Sequence, residues 1–197
     1  IPDGLNPLFA DSTIRILLLN SSNGDRLPNN GKVFSYTFDN TPTPPFVPIN
    51  IVKEDTNQVR VIAYNTYVNG LDNAARLPAL KNIITTLSPD IIGFSECWNT
   101  TATTVKGLMD TWLPTNDTNG WYVEKHLSRG LITASRWKIK QSWKLLSHQF
   151  PTLIDLPERF GTDFLYTNAH LSCCQKDGQR QDQVDAYIEF MLDAKTP

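Results

Sequence analysis

From residue 59 onward, short apolar segments rich in β-branched and aromatic side chains alternate with apolar residues at helical spacing. Segments 59–64 and 91–95 are the length of strands, whereas Leu80, Ile84 and Leu87 between them repeat every three or four residues. Strands that alternate with helices define the α/β class, because the helices cover the faces of the sheet. We therefore predict an α/β domain whose sheet contains strands of mixed direction.

The same alternation continues towards the end of the chain. Short apolar runs predict further strands at 122–125, 131–134, 139–146 and 163–171. Helical spacing also recurs over 105–112. Apolar residues at i, i+3, i+4, i+7 and i+8 predict a final amphipathic helix with an apolar stripe of Val184, Tyr187, Ile188, Met191 and Leu192.

The first 57 residues have a different pattern, which suggests a separate organisation. We predict that 1–38 forms a β-hairpin segment, either the end of an upstream β domain or accessory strands. A polar stretch at 20–31 joins its two strands and is predicted to be a turn, since the full spacing of a calcium loop is absent. The proline-rich residues 39–57 are predicted to be a linker, and 58–197 the main domain.

Charge and composition narrow the functional classes. The chain has 18 basic and 20 acidic side chains, so a broadly basic surface for nucleic acid is not expected. Its longest apolar run is far shorter than the ~20 residues of a membrane-spanning helix. Three N-x-S/T acceptor sites, at Asn20, Asn99 and Asn116, are compatible with secretion.

Polar side chains follow three of the predicted strands at the point where each strand ends. Asn65 follows 59–64, Glu96 follows 91–95, and the last strand carries Asn168 and His170 close to its end. Ligands of α/β proteins gather at such strand ends, and a carboxylate, an amide and an imidazole suit a hydrated divalent cation and a phosphate. Taken singly, each residue also fits an ordinary role as a turn residue, a solvated side chain or a packing residue.

Four segments in chain order resemble the endonuclease/exonuclease/phosphatase family. They are VRVIAYN at 59–65, PDIIGFSE at 89–96, GLITASR at 130–136 and NAHL at 168–171. The resemblance implies the deoxyribonuclease I-like fold, an α/β sandwich of mixed sheets flanked by helices. It also implies that Glu96 ligates a metal, that His170 contacts the scissile phosphate, and that Asn65 orients Glu96 or the phosphate.

The resemblance suggests two further phosphate contacts and a disulfide. Asn168 and Arg129 are the candidate phosphate-binding residues, although the sequence favours a solvated side chain for Arg129. The cysteine pair after His170 is similar to that of secreted bacterial members of the family. It therefore implies an extracellular protein and a disulfide from Cys97 to Cys173 or Cys174.

The sequence also departs from the family. The Gly-Asp-x-Asn and Ser-Asp-His motifs of the family's second half, which supply the general base, are absent from these 197 residues. We therefore expect the domain to be truncated, to be completed by a downstream segment or a second chain, and to be inactive on its own.

The resulting hypothesis is a secreted phosphodiester hydrolase that uses Mg²⁺, or Ca²⁺ or Mn²⁺ in its place. A nucleic-acid backbone is the expected substrate. Two alternatives stay open, namely a phospholipid or sphingomyelin phosphodiesterase and a non-catalytic extracellular binding module with the same fold.

Overall fold

Two short strands of the N-terminal region, Thr13–Ile16 (β1) and Phe34–Thr37 (β2), pair as an antiparallel ladder. The computed structural model describes these residues together with 51, 53, 55, 57–144 and 147–193. The chain divides into one unit of Ile1–Val47 and another of Pro48–Pro197. The predicted turn at 20–31, Asn20 and most of the predicted linker at 39–57 lie outside the described residues.

The second unit contains two sheets and three helices in its described part. The four-stranded sheet has the order β3-β4-β6-β5, formed by Val61–Asn65 (β3), Ile91–Ser95 (β4), Tyr122–Lys125 (β5) and Ile132–Ser135 (β6). The three-stranded sheet has the order β7-β8-β9, formed by Ile139–Ser142 (β7), Gln149–Ile154 (β8) and Phe164–Ala169 (β9). The helices are Leu77–Leu87 (α1), Ala102–Trp112 (α2) and Asp177–Asp193 (α3).

The strand β4 lies at the centre of this unit, and every one of its residues is buried. It pairs in parallel with β3 and antiparallel with β6, so the sheet has mixed direction. Ile92 and Phe94 join the core beneath α1 and α2. A strand buried on both faces reads as a continuous apolar run, which is why this segment was recognisable in the sequence. The predicted α/β class, with mixed sheets flanked by helices, is confirmed and is consistent with a deoxyribonuclease I-like fold.

The two sheets approach each other closely where β4 faces β9. The side-chain amide of Asn168 donates hydrogen bonds to the carbonyl oxygens of Phe94 (2.8 Å) and Ile132 (3.0 Å). A Cβ atom at Gly93 would lie 2.2 Å from the Tyr166 hydroxyl and 2.9 Å from Asn168 Cγ, so only glycine fits at this point. Burial raises the pKa of Tyr166 to about 12.

Strand β8 is not expected from the sequence, and Pro151 explains why. Proline normally argues against a central strand, because it cannot donate a hydrogen bond to the ladder. In an antiparallel ladder the N–H and C=O of one residue face the same neighbouring strand. The Pro151 carbonyl accepts from the N–H of Trp143, so the Pro151 nitrogen also faces the β7 side. Since β7 ends at Ser142, the Pro151 nitrogen faces the chain just beyond the end of that strand. The predicted strand at 139–146 is correspondingly shorter in the structure.

The predicted apolar stripe of α3 packs only in part, through Tyr187 and not through Val184 or Ile188. Val184 and Ile188 remain 38% and 49% exposed, whereas Gln183 is buried. The Gln183 carbonyl accepts from Gln149 Nε2 of β8 (2.7 Å), and the hydroxyl of Tyr187 bonds that of Thr167 in β9 (2.9 Å). Polar contacts to the three-stranded sheet thus set the rotation of this helix, which hydrophobic periodicity does not reveal. No helix in the described ranges is both long enough and apolar enough to span a bilayer.

Replacing Gly93 by alanine is expected to destabilise the protein by about 1–3 kcal/mol, because the new methyl group overlaps Tyr166 and Asn168. Gly107→Ala is the matched control, since Gly107 is in α2 and a Cβ atom added there would meet no other part of the fold within 4 Å. We expect the control to stabilise by roughly 0.5–1 kcal/mol. Urea unfolding of both variants tests this, and equal stabilities would contradict the close approach of the sheets.

Candidate active site

Asn65, Glu96 and His170 come together at one edge of the two sheets. Asn65 is the last residue of β3 and pairs in register with Ser95, the last residue of β4. Asn65 therefore lies beside Glu96, which directly follows Ser95. His170 follows β9, the strand that faces β4. The parallel pairing of β3 with β4 and the approach of β9 thus place all three side chains at adjacent strand ends.

The Glu96 carboxylate is held by two hydrogen bonds. Asn65 Nδ2 donates to Oε1 (2.9 Å), and the backbone N–H of Val68 donates to Oε2 (2.8 Å). His170 Nε2 lies 3.5 Å from Oε1. The hydrogen bond from Asn65, followed by the bond from Val68 and the charge of His170, lowers the pKa of Glu96 below its usual value. Glu96 is therefore ionised at neutral pH.

The loop that follows Asn65 wraps around Glu96 in an unusual backbone conformation. Tyr67, Val68 and Asn69 have φ values of 52°, 47° and 56°, and Glu96 itself has a φ of 61°. Left-handed backbone is unfavourable for residues other than glycine, most of all for a β-branched one such as valine, and costs about 1–3 kcal/mol per residue. The conformation turns the Val68 N–H onto the carboxylate and the Asn69 N–H onto the Glu96 carbonyl oxygen (2.7 Å).

The structure does not bring Asn168 to the same place. Its side chain is 3% exposed, and both bonds of its amide nitrogen go to backbone carbonyls between the sheets. We interpret Asn168 as a residue that positions β9 rather than one that contacts phosphate. Alternate residues of a strand face the same side. The position of Asn168 between the sheets therefore directs His170, two residues later, to that side as well.

Arg129 lies on the wall of a pocket that His170 also lines. Gly130 permits this placement, because a Cβ atom there would lie 2.7 Å from the backbone nitrogen of Cys97. The same pocket includes Trp98 and His148, which the sequence analysis did not select as site residues. The sequence signal for His148 was weak, since it precedes the unrecognised strand β8.

The predicted disulfide is absent from the structure, in which all three cysteines are free. Cys97 is fully buried, and its sulfur points towards Thr66 Oγ1 (3.5 Å) and the Ser95 carbonyl (3.6 Å). Cys173 and Cys174 are exposed on the loop after His170. The inward orientation of the Cys97 side chain therefore separates it from the other two thiols. Burial raises the pKa of the Cys97 thiol to about 11.

Glu96 has the chemistry of a ligand for a hard divalent cation. Each of its oxygens accepts one hydrogen bond from a donor within the chain, and a carboxylate oxygen has further lone pairs available. No group of three or more His, Cys, Asp or Glu side chains that could hold a metal is found among the described residues. One carboxylate fits Mg²⁺, which binds one or two carboxylates and completes its shell with water and phosphate oxygens.

Comparisons with known proteins identified similarity in structure alone. No protein-family model matches the chain, and no curated protein matches its sequence. A crystal structure of D. rerio TDP2 humanized by 14 mutations is similar with a TM-score of 0.49 and 13% identity, over 72% of this chain and 58% of that one. An endonuclease/exonuclease/phosphatase family protein from Leptotrichia buccalis C-1013-b has a TM-score of 0.47 and 13% identity, over 71% and 62% of the two chains. The chain thus spans about three fifths of the length of either structure.

Removal of the Asn65 amide is expected to raise the pKa of Glu96, because the hydrogen bond from Asn65 is the largest cause of its lowered pKa. The pKa can be measured in Asn65→Ala by NMR titration of the Glu96 carboxyl carbon. Val68→Gly is the control, since glycine keeps the backbone N–H that bonds Glu96. An unchanged pKa in Asn65→Ala would contradict the role assigned to this amide.

The accessibility of the thiols gives a further prediction. Iodoacetamide is expected to alkylate Cys173 and Cys174 in the native protein and Cys97 only after unfolding, because a buried thiol of raised pKa forms little thiolate. Mass spectrometry of the intact protein before and after unfolding counts the adducts. A Cys97 disulfide would instead leave one reactive thiol, and reduction would be needed to label the others.

Proposed function

We propose that this chain carries the cation-binding and phosphate-contacting residues of a metal-dependent phosphodiester hydrolase. The observation that carries the proposal is the ionised Glu96 carboxylate, held by Asn65 and the Val68 N–H and facing His170 Nε2 at 3.5 Å. A fixed carboxylate beside an imidazole, at an exposed strand end, suits the binding of a cation and a phosphate side by side. The four motifs in chain order support the same class.

We propose Mg²⁺ as the cation, with Mn²⁺ able to replace it. A single carboxylate supplies too few oxygen ligands for the six to eight that Ca²⁺ takes, whereas Mg²⁺ retains several waters. Glu96 would hold the ion directly. Asn65 acts on Glu96, because its Nδ2 already donates to the carboxylate and its Oδ1 accepts from the N–H of Tyr67 (2.8 Å).

The proposed reaction is hydrolysis of a phosphodiester by water. The oxygen of water forms a bond to phosphorus, the bond from phosphorus to one ester oxygen breaks, and that oxygen leaves with a proton as an alcohol. When bound, the divalent cation supplies Lewis-acid polarisation of a phosphoryl oxygen. His170 donates a hydrogen bond to a non-bridging oxygen when protonated and so stabilises the negative charge that builds there. The other product is a phosphomonoester.

The group that accepts the proton of the attacking water is not assigned to this chain. The two motifs that supply it in the family that the sequence resembles are absent from these 197 residues. We therefore separate two tests, cation binding by this chain and hydrolysis by a polypeptide that contains it. A chain that binds Mg²⁺ and phosphate, within a protein that never hydrolyses a diester, would favour the non-catalytic binding module.

We propose a nucleic-acid backbone as the substrate rather than a phospholipid head group. The positive charges beside His170 favour this choice. Arg129 lines the adjoining pocket, and Lys176 is near enough to lower the pKa of His148. A cationic head group such as choline would be repelled there. The net charge of −2 fits a small contact with nucleic acid rather than an extended basic one.

An extracellular location remains part of the proposal. Two of the N-x-S/T acceptor residues, Asn99 and Asn116, are exposed in the structure. Their exposure is compatible with modification in a secretory pathway.

Glu96→Gln is expected to weaken Mg²⁺ binding at least about tenfold, because an amide oxygen replaces the ionised ligand. Isothermal titration calorimetry measures the affinity, and Glu189→Gln is the control at an exposed position of α3. In a polypeptide active on bis(p-nitrophenyl) phosphate, His170→Gln should lower kcat by about 10²–10³. Unchanged Mg²⁺ affinity in Glu96→Gln would contradict the assigned ligand.

A further inference from the structure

A pocket of about 140 Å³ opens beside His170, and Glu96 is not among the residues that line it. Its walls include Trp98, Arg129, His148 and Ser172. Liquid water occupies roughly 30 Å³ per molecule, so the pocket has room for a group larger than a single water. One wall of the pocket is aromatic, because Trp98 lines it. Trp98 is 45% exposed.

Arg129 supplies a buried hydrogen-bond donor with no partner. Its Nε atom is inaccessible to solvent and makes no hydrogen bond in the described part of the chain. Arginine is charged at every physiological pH, so this donor cannot lose its charge to relieve the burial. Buried charged groups are normally paired, so a guanidinium that lines a pocket with one nitrogen unpartnered favours an anion inside that pocket.

The surroundings of His148 also favour an anion. Burial lowers the pKa of His148, and the positive charges of the nearby Arg129 and Lys176 lower it further. Asp182 of α3 lies on a neighbouring groove that His148 also lines. The basic groups thus outnumber the acidic one around this imidazole, and a bound anion would offset their repulsion.

The walls of the pocket are fixed by the fold rather than by flexible side chains. The backbone N–H of His170 donates to the His148 carbonyl (3.0 Å), which joins the two histidines. Arg180 of α3 donates to the Ser172 carbonyl (2.9 Å), and the Gln183 side chain bonds both the N–H and the hydroxyl of Ser172. A preformed pocket loses less entropy on binding than one that must be ordered.

We propose that this pocket, here named the Arg129 pocket, binds a second and unreacted phosphate group of the substrate, next to the diester held between Glu96 and His170. The inference rests on the proposed function and deepens it. A nucleotide chain carries such a neighbouring phosphate and a base that can stack on Trp98, whereas a zwitterionic lipid head group carries neither. The second phosphate comes either from the next diester of a chain or from a terminal monoester.

The first test measures phosphate binding without catalysis. Inorganic phosphate is titrated into metal-free Glu96→Gln protein, and the His148 imidazole is followed by NMR. We expect saturable binding that raises the pKa of His148, and a Kd that increases about tenfold or more in the added variant Arg129→Gln. Arg159→Gln is the matched control, because Arg159 packs over Phe160 and is not part of the pocket.

A second variant, Arg129→Lys, keeps the charge. With it, the test does not depend on correct folding of Arg129→Gln. It should bind phosphate more tightly than Arg129→Gln and more weakly than the parent, since lysine keeps the charge but lacks the guanidinium fork. Equal phosphate affinity in the parent, Arg129→Gln and Arg129→Lys proteins would overturn the proposal. Because neither metal nor hydrolysis is involved, this result is independent of the proposed function.

The second test identifies the source of the phosphate. Binding of the dinucleotide TpT is compared with that of TpTpT, which adds a diester, and pTpT, which adds a terminal monoester. We expect Arg129→Gln to weaken binding of at least one of the two longer ligands about tenfold and to leave TpT and glycerophosphocholine nearly unchanged. The more sensitive ligand shows which phosphate the pocket takes. An equal loss for all four ligands would contradict a separate second-phosphate site.

Discussion

The two hydrogen bonds of the Asn168 amide determine where the site is formed. They join β9 to the carbonyl oxygens of Phe94 and Ile132 on two strands of the other sheet. Phe94 lies two residues before Glu96, and Asn168 lies two residues before His170, so this contact joins the two chain segments that carry the site. A shift of β9 by one residue would turn Asn168 away from the other sheet and remove the support for His170.

Glu96 depends on a second constraint, which is the strained loop after β3. The left-handed residues from Tyr67 to Asn69 give the carboxylate a backbone donor that a relaxed loop would direct elsewhere. The start of this loop is held by the parallel pairing of β3 with β4, in which Asn65 and Ser95 are the last pair. Strain of this kind concentrates at functional sites, which agrees with the role proposed for Glu96.

Charge is divided between two neighbouring spaces at this edge of the fold. The ionised Glu96 favours a cation, whereas Arg129 favours an anion in the pocket that His170 also lines. A substrate with a reacting diester and a further phosphate would satisfy both, since the cation and the basic side chains then contact different phosphates.

The sequence by itself determined the α/β class and the three residues at the strand ends, because hydrophobic periodicity and the residue after each strand are local properties. Only the tertiary structure decided that Asn168 faces the other sheet, that Val68 donates through its backbone, and that Cys97 points inward. The direction of each of these groups depends on the pairing of segments that are distant in the chain. Composition and residue spacing do not indicate which segments pair. For the same reason the sequence did not reveal β8, whose proline is tolerated only because its neighbouring strand ends there.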